Sequence, residues 1–286
     1  MDNLSLPLLV MSSVLAAIAI GTLGLALARG WLREEAFAAA PPRKVHLGLE
    51  DLAGALCIQI VGMVVAQSIL AHLGLLSSGP RDSWAEAWRA LWSQGLVQVP
   101  VVGFMLVRTW RQPHGWRELG LVPRRPRWEA LVGVSGLVAA LGLTLTTLDV
   151  TAVLSQWLVE PPPKVGHEML TAMRAARSAG ALATLCISAI VVAPLLEESI
   201  FRGLFQTALR EVEGAAQRAW CVILVSAALF AMVHVGSPWQ VFPGLFVLGI
   251  VLGWLYERTG SLWPGILVHA GFNAFNVAQA LHWGLR

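Results

Sequence analysis

Two adjacent carboxylates, an arginine, two histidines and an asparagine stand in the C-terminal third of this 286-residue chain, each inside an apolar run. They are Glu197, Glu198 and Arg202 in E-E-S-I-F-R, His234 in F-A-M-V-H, and His269 with Asn273 in H-A-G-F-N. Helical geometry sorts them. Neighbours point about 100° apart, whereas residues four apart share a face. Glu198 and Arg202 are such a pair, with the acid N-terminal to the base, and are assigned to a structural ion pair. Glu197 is then left for chemistry. Phe230 shares a face with His234 and can wall the imidazole off from lipid. His269 and Asn273 face one cavity together.

A carboxylate shielded from bulk water can act as a general base on a water molecule. A histidine opposite can hold the same water. A second histidine and an asparagine amide can donate hydrogen bonds to an oxyanion, where one such donor is worth about 3 kcal/mol in other hydrolases. The set of Glu197, His234, His269 and Asn273 therefore suffices for peptide hydrolysis without a covalent intermediate. Glu197, His234 and His269 would equally suit a Zn²⁺ ion with one open position. Both mechanisms fit these residue types. Taken singly, each residue has a blander role: a helix–helix hydrogen-bonder, a solvated helix end, an interhelical asparagine. Their joint occurrence on successive helices is harder to attribute to packing, because ionisable groups at membrane depth are expensive.

The elements that must position them are set by the solvent. Hydrophobic residues make up 56% of the chain and charged residues 13%, against about 25% charged in a water-soluble domain. This composition specifies an all-α polytopic membrane bundle. A span needs about 20 mostly apolar residues, and eight segments qualify or nearly so: 4–28, 52–76, 90–108, 129–157, 179–197, 218–235, 240–257 and 261–282. The first lacks the basic flank of a signal peptide and is too long for one, so it reads as a span. The chain divides into residues 1–178, four spans with their loops, and 179–286, which holds the chemistry. The Arg202–Arg218 stretch reads as an interfacial loop that begins as an apolar-basic helix. Pro161-Pro162-Pro163 marks a loop, with an interfacial helix through Met169–Ser178.

Fourteen of the twenty Lys and Arg residues fall in alternate loops. The positive-inside rule places those loops in the cytoplasm and both ends of the chain outside. The net charge of +3 is too small and dispersed for nucleic-acid binding. Tryptophans such as Trp31, Trp110, Trp157 and Trp263 sit at segment ends, where indoles anchor at the bilayer interface. Cys57, Cys186 and Cys221 have no metal-ligand spacing and read as small apolar side chains.

The three motifs, with Pro194 before the glutamates, Gly203 after the arginine and Trp263-Pro264-Gly265 before the last histidine, resemble the CPBP family. This family comprises CAAX proteases and bacteriocin-processing proteins, also called Abi. The resemblance covers roughly residues 180–280, with a fainter echo over Trp116 to Leu121. It implies about eight spans around a cavity open to the cytoplasm, Glu197 and His234 positioning the attacking water, and His269 with Asn273 forming the oxyanion hole. The family has been described both as metalloprotease and as glutamic protease. Asn273 suits an oxyanion donor better than a zinc ligand, which favours the cofactor-free form over zinc. The expected substrate is a membrane-anchored protein or peptide tail, and the Ala-, Arg- and Trp-rich composition points to a bacterial inner membrane. Two other readings use the same residues: a non-catalytic binding or immunity protein, and a proton-coupled transporter that would draw on Gln59 and Gln67.

Overall fold

In a computed structural model the described residues are 6–38, 46–74, 83–113, 115–158, 168–212, 218–234 and 237–283. Among them there is no strand, and nine helices carry the fold: α1 (Leu6–Ala28), α2 (Leu49–His72), α3 (Trp84–Trp110), α4 (Pro126–Leu158), α5 (Glu168–Ala175), α6 (Ala179–Glu211), α7 (Ala219–Met232), α8 (Phe242–Thr259) and α9 (Trp263–Trp283). Five of them, α2, α3, α4, α6 and the α8 segment from Trp239, are long and apolar enough to cross a bilayer. The Ser13–Ala28 part of α1 and the α7 helix are apolar but shorter. The α9 helix is long enough yet more polar, because it carries His269, Asn273, Asn276 and Gln279. The chain is an integral membrane protein built as a polytopic helical bundle.

Residues such as Ile60, Val64, Val107, Leu131 and Val138 are exposed on the outer faces. In water this would be a large apolar patch; in a bilayer it is where lipid packs. Pro161–Pro163 and the basic residues Arg43, Lys44, Arg81, Lys164 and Arg286 lie outside the described residues.

One expected boundary is wrong in an informative way. Residues 202–211 are not an interfacial loop: α6 runs without a break from Ala179 to Glu211, and Arg202, Leu204, Gln206, Thr207 and Ala208 are all buried. The helix sits at the middle of the bundle, against α2, α3, α5, α7, α8 and α9. Its polar residues survive burial because they repeat every four positions and meet an equally spaced row on α8. Arg202 donates to the Gly249 carbonyl (3.1 Å), Gln206 to the Gly253 carbonyl (3.1 Å) and to Glu257 (2.8 Å), and Arg210 to Glu257 (2.8 Å). In a low-dielectric interior such a ladder is favourable only when most of its members are satisfied.

Gly249 and Gly253 also let α8 close on α7. A methyl group at Gly249 would stand 2.9 Å from the Ala227 Cα and 3.0 Å from its Cβ, too near for either backbone to yield cheaply. Gly249→Val is therefore expected to lower stability by about 1–3 kcal/mol through overpacking. The loss should register as a lower unfolding midpoint in detergent, and an unchanged midpoint would contradict the close packing.

At the opposite side of the bundle α4 packs on α1, α8 and α9. The α5 helix, expected at the interface, has Ala172 and Met173 buried and packs on α3, α6 and α9. The Trp116–Leu121 segment, the faint echo noted above, clamps the α8–α9 turn: the Leu262 N–H donates to the Gly120 carbonyl (3.0 Å) and the Tyr256 hydroxyl to that of Leu119 (3.2 Å). Gly120 has φ +86°, and a Cβ there would come within 2.7 Å of the Gly260 carbonyl oxygen, so only glycine fits. Glu129 completes the clamp by accepting from the Ser261 hydroxyl at 2.7 Å.

Candidate active site

A cavity of about 520 Å³ lies between α4, α5, α6, α7, α8 and α9, and Glu197, Phe230, His234, His269 and Asn273 all line it. Three separate stretches of sequence thus deliver their singled-out side chains to one space. A shallower hollow between Arg29 and Ala36 holds none of them.

Glu198 has two partners where the sequence reading gave it one. Its Oε1 accepts from Arg202 at 3.0 Å and also from His269 Nδ1 at 2.9 Å. Glu198 and Arg202 are each 99% buried, so the pair is desolvated and its geometry must be good to persist. Arg202 is held further by the Gly249 carbonyl and by the face of Phe230, 4.8 Å from its guanidinium carbon. Gly265 allows this packing, since a Cβ there would stand 3.2 Å from Glu198 Oε2.

The result is a fixed imidazole. His269 Nδ1–H points at Glu198, its ring stacks edge-on to Phe230 at 5.5 Å, and its Nε2 faces Glu197 Oε2 at 3.8 Å. Phe230 also meets His234 edge-on at 5.0 Å and Phe201 at 5.3 Å, so one phenyl ring, fully buried, spaces both histidines. His234 follows the last turn of α7, and its Nδ1–H donates to the Phe230 carbonyl at 2.8 Å. That bond fixes the tautomer and leaves Nε2 with its lone pair. Glu197 Oε2 is buried without a hydrogen-bond partner, which is expensive unless a ligand or water supplies one.

Asn273 is positioned by an irregularity in α6. Around Ser188–Val192 the helix widens so that the Ala193 N–H reaches the Ser188 carbonyl, five residues back. In that register the donor for the Ala189 carbonyl would be residue 194, which is proline and has no N–H. Asn273 Nδ2 takes its place at 2.8 Å. One amide N–H is thereby spent on the scaffold, and the second remains for chemistry. Wide turns of this kind recur at functional sites.

Sequence reasoning missed several lining residues. Asp149 on α4 lines the cavity; a lone acid inside the 129–157 span was the available signal. Thr144, Gln240 and Asn276 line it too. Gln59 and Gln67 on α2 do not, which removes the polar path that a transporter reading would draw on. Among the described residues, no three His, Cys, Asp or Glu side chains are grouped to hold a metal ion. The alternative zinc set of Glu197, His234 and His269 is therefore not preformed.

The cavity deepens in one direction. Phe230, Leu248, His269 and Phe272 form its buried floor, while Ala152, Met169, Ser237 and Val241 are partly exposed at its rim. The rim comes from the C-terminal ends of α4 and α7, the start of α8 and the α5 helix. The arginine-rich turns lie at the other end of the same helices.

Residues 179–275 match the model of the family described as type II CAAX prenyl endopeptidase Rce1-like. Two relatives from Lactococcus lactis subsp. lactis (strain IL1403) are similar over the same part. The UPF0177 protein YxdF is 31% identical over 98 residues, 34% of this chain and 51% of the relative. The UPF0177 protein YaiF is 34% identical over 87 residues, 30% of this chain and 36% of the relative. The chain thus spans about half the length of the first relative and less of the second. No solved structure matches it.

Proposed function

We propose that the chain is an intramembrane endopeptidase that hydrolyses a peptide bond in a membrane-associated protein or peptide tail. The observation that carries this reading is the shared cavity of Glu197, His234, His269 and Asn273. Water held between Glu197 and the His234 Nε2 lone pair attacks the scissile carbonyl carbon, and its proton passes to Glu197. The carbonyl oxygen, now an oxyanion, accepts from the free Asn273 N–H and from His269 Nε2. Donation from Nε2 requires both ring nitrogens to carry a proton, with the Glu198 carboxylate accepting from Nδ1. Glu197 then returns the proton to the leaving amine, and the C–N bond breaks.

The cofactor-free form is favoured because the donor set is not grouped for a metal, and because Asn273 offers a hydrogen bond rather than a ligand to a soft cation. Purified wild-type protein is expected to cut a single-span reporter after strong chelation, and His234→Ala to lower turnover by about 10²-fold or more. Loss of activity on chelation that zinc alone restores would establish the metal-dependent form. A binding or immunity role would show instead as reporter capture without cleavage, undiminished in Glu197→Gln.

A further inference from the structure

We propose that the cavity takes its substrate from the non-cytoplasmic face of the membrane: an extended, uncharged or basic peptide segment that passes Gln240 and Thr144 to reach Glu197. Cleavage at Glu197 rests on the protease reading above; the side of the opening does not. Two observations fix the side. First, every rim residue comes from the helix ends remote from the arginine-rich turns. Second, among the described residues eleven arginines occupy that remote, basic end, against Arg89, Arg174 and Arg177 at the rim end. Arg202, counted from sequence with the basic loops, is a buried partner of Glu198 and drops out of the tally without changing its sense. The positive-inside rule puts the basic end in the cytoplasm, so the rim faces out.

The lining indicates what enters. It contains no Lys or Arg, while Glu197 and Asp149 supply acid, so an acidic segment is repelled. Thr144 Oγ1 and Gln240 Oε1 are buried without hydrogen-bond partners although both residues line the cavity. A peptide backbone leaving water must place its N–H and C=O groups on such atoms. A pocket for a hydrocarbon chain alone would gain nothing from them.

The test uses full-length protein with Cys57, Cys186 and Cys221 replaced by alanine, expressed in a bacterial host, carrying either Ser237→Cys at the rim or Arg125→Cys at the basic end. A membrane-impermeant maleimide added to intact spheroplasts should label Ser237→Cys at once and Arg125→Cys only after permeabilisation. The reverse order overturns the proposal, as does failure of Ser237→Cys to label in permeabilised membranes. Two single-span reporters then carry the same uncharged cleavable segment either outside or inside, with Glu197→Gln as control. Wild-type cleavage of the outside reporter only, at least tenfold over the inside one, supports the proposal, and preferential cleavage of the inside one overturns it. Outward labelling with neither reporter cut leaves the side of the opening established and counts against the protease reading instead.

Discussion

Glu197→Gln is expected to yield a folded membrane protein that no longer cuts. The substitution keeps the size of the side chain and its capacity to hydrogen-bond, and it removes only the ability to accept a proton from water. A positioned general base contributes about 10²–10⁴-fold, so turnover of a reporter by the purified variant should fall by at least that lower figure. Glu197 makes no hydrogen bond through its buried Oε2, and His269 Nε2 stands 3.8 Å from it. The unfolding midpoint should therefore stay within a degree or two of wild type. Full turnover in a stable Glu197→Gln protein would remove Glu197 from the mechanism.

Arg202→Ala and Glu198→Ala should do the reverse and strike the fold first. Each leaves a charge buried beyond 98% without its partner, a defect that typically costs about 3–5 kcal/mol. The double variant Glu198→Ala/Arg202→Ala should lose less than the sum of the singles, because no unpaired charge remains. The two singles should also differ. Glu198→Ala takes away the acceptor on His269 Nδ1, so what folded protein remains should turn over more slowly than folded Arg202→Ala. Thermal unfolding in detergent, with turnover normalised to folded protein, reads both effects. Strict additivity in the double variant, or equal residual turnover in the two singles, would show that the bridge through Glu198 is not functional.

Much of this was legible from residue types and spacing. The eight apolar segments fall on eight helices because a bilayer imposes one length and one composition on whatever crosses it. The i, i+4 rule paired Glu198 with Arg202 and set His269 beside Asn273, because those relations are internal to one helix. What stayed hidden depends on contact between helices. The end of α6 was misplaced because Arg202, Gln206 and Arg210 look like a span giving way to water. Only the matching row on α8 reveals that they are buried partners. The second bond of Glu198, from His269 71 residues on, has no local signature. The lining residues Met169, Ser237 and Val241 likewise have no local signature that ties them to the motifs.

Pro194 turns a missing atom into a tether. By withholding an N–H from the Ala189 carbonyl it leaves an acceptor that a distant asparagine can claim, so the aim of the Asn273 amide depends on a residue that makes no bond of its own there. A variant that restored an ordinary helical turn at this spot would strengthen α6 and set Asn273 adrift. In this molecule, a straighter helix would leave the cavity's amide without an aim.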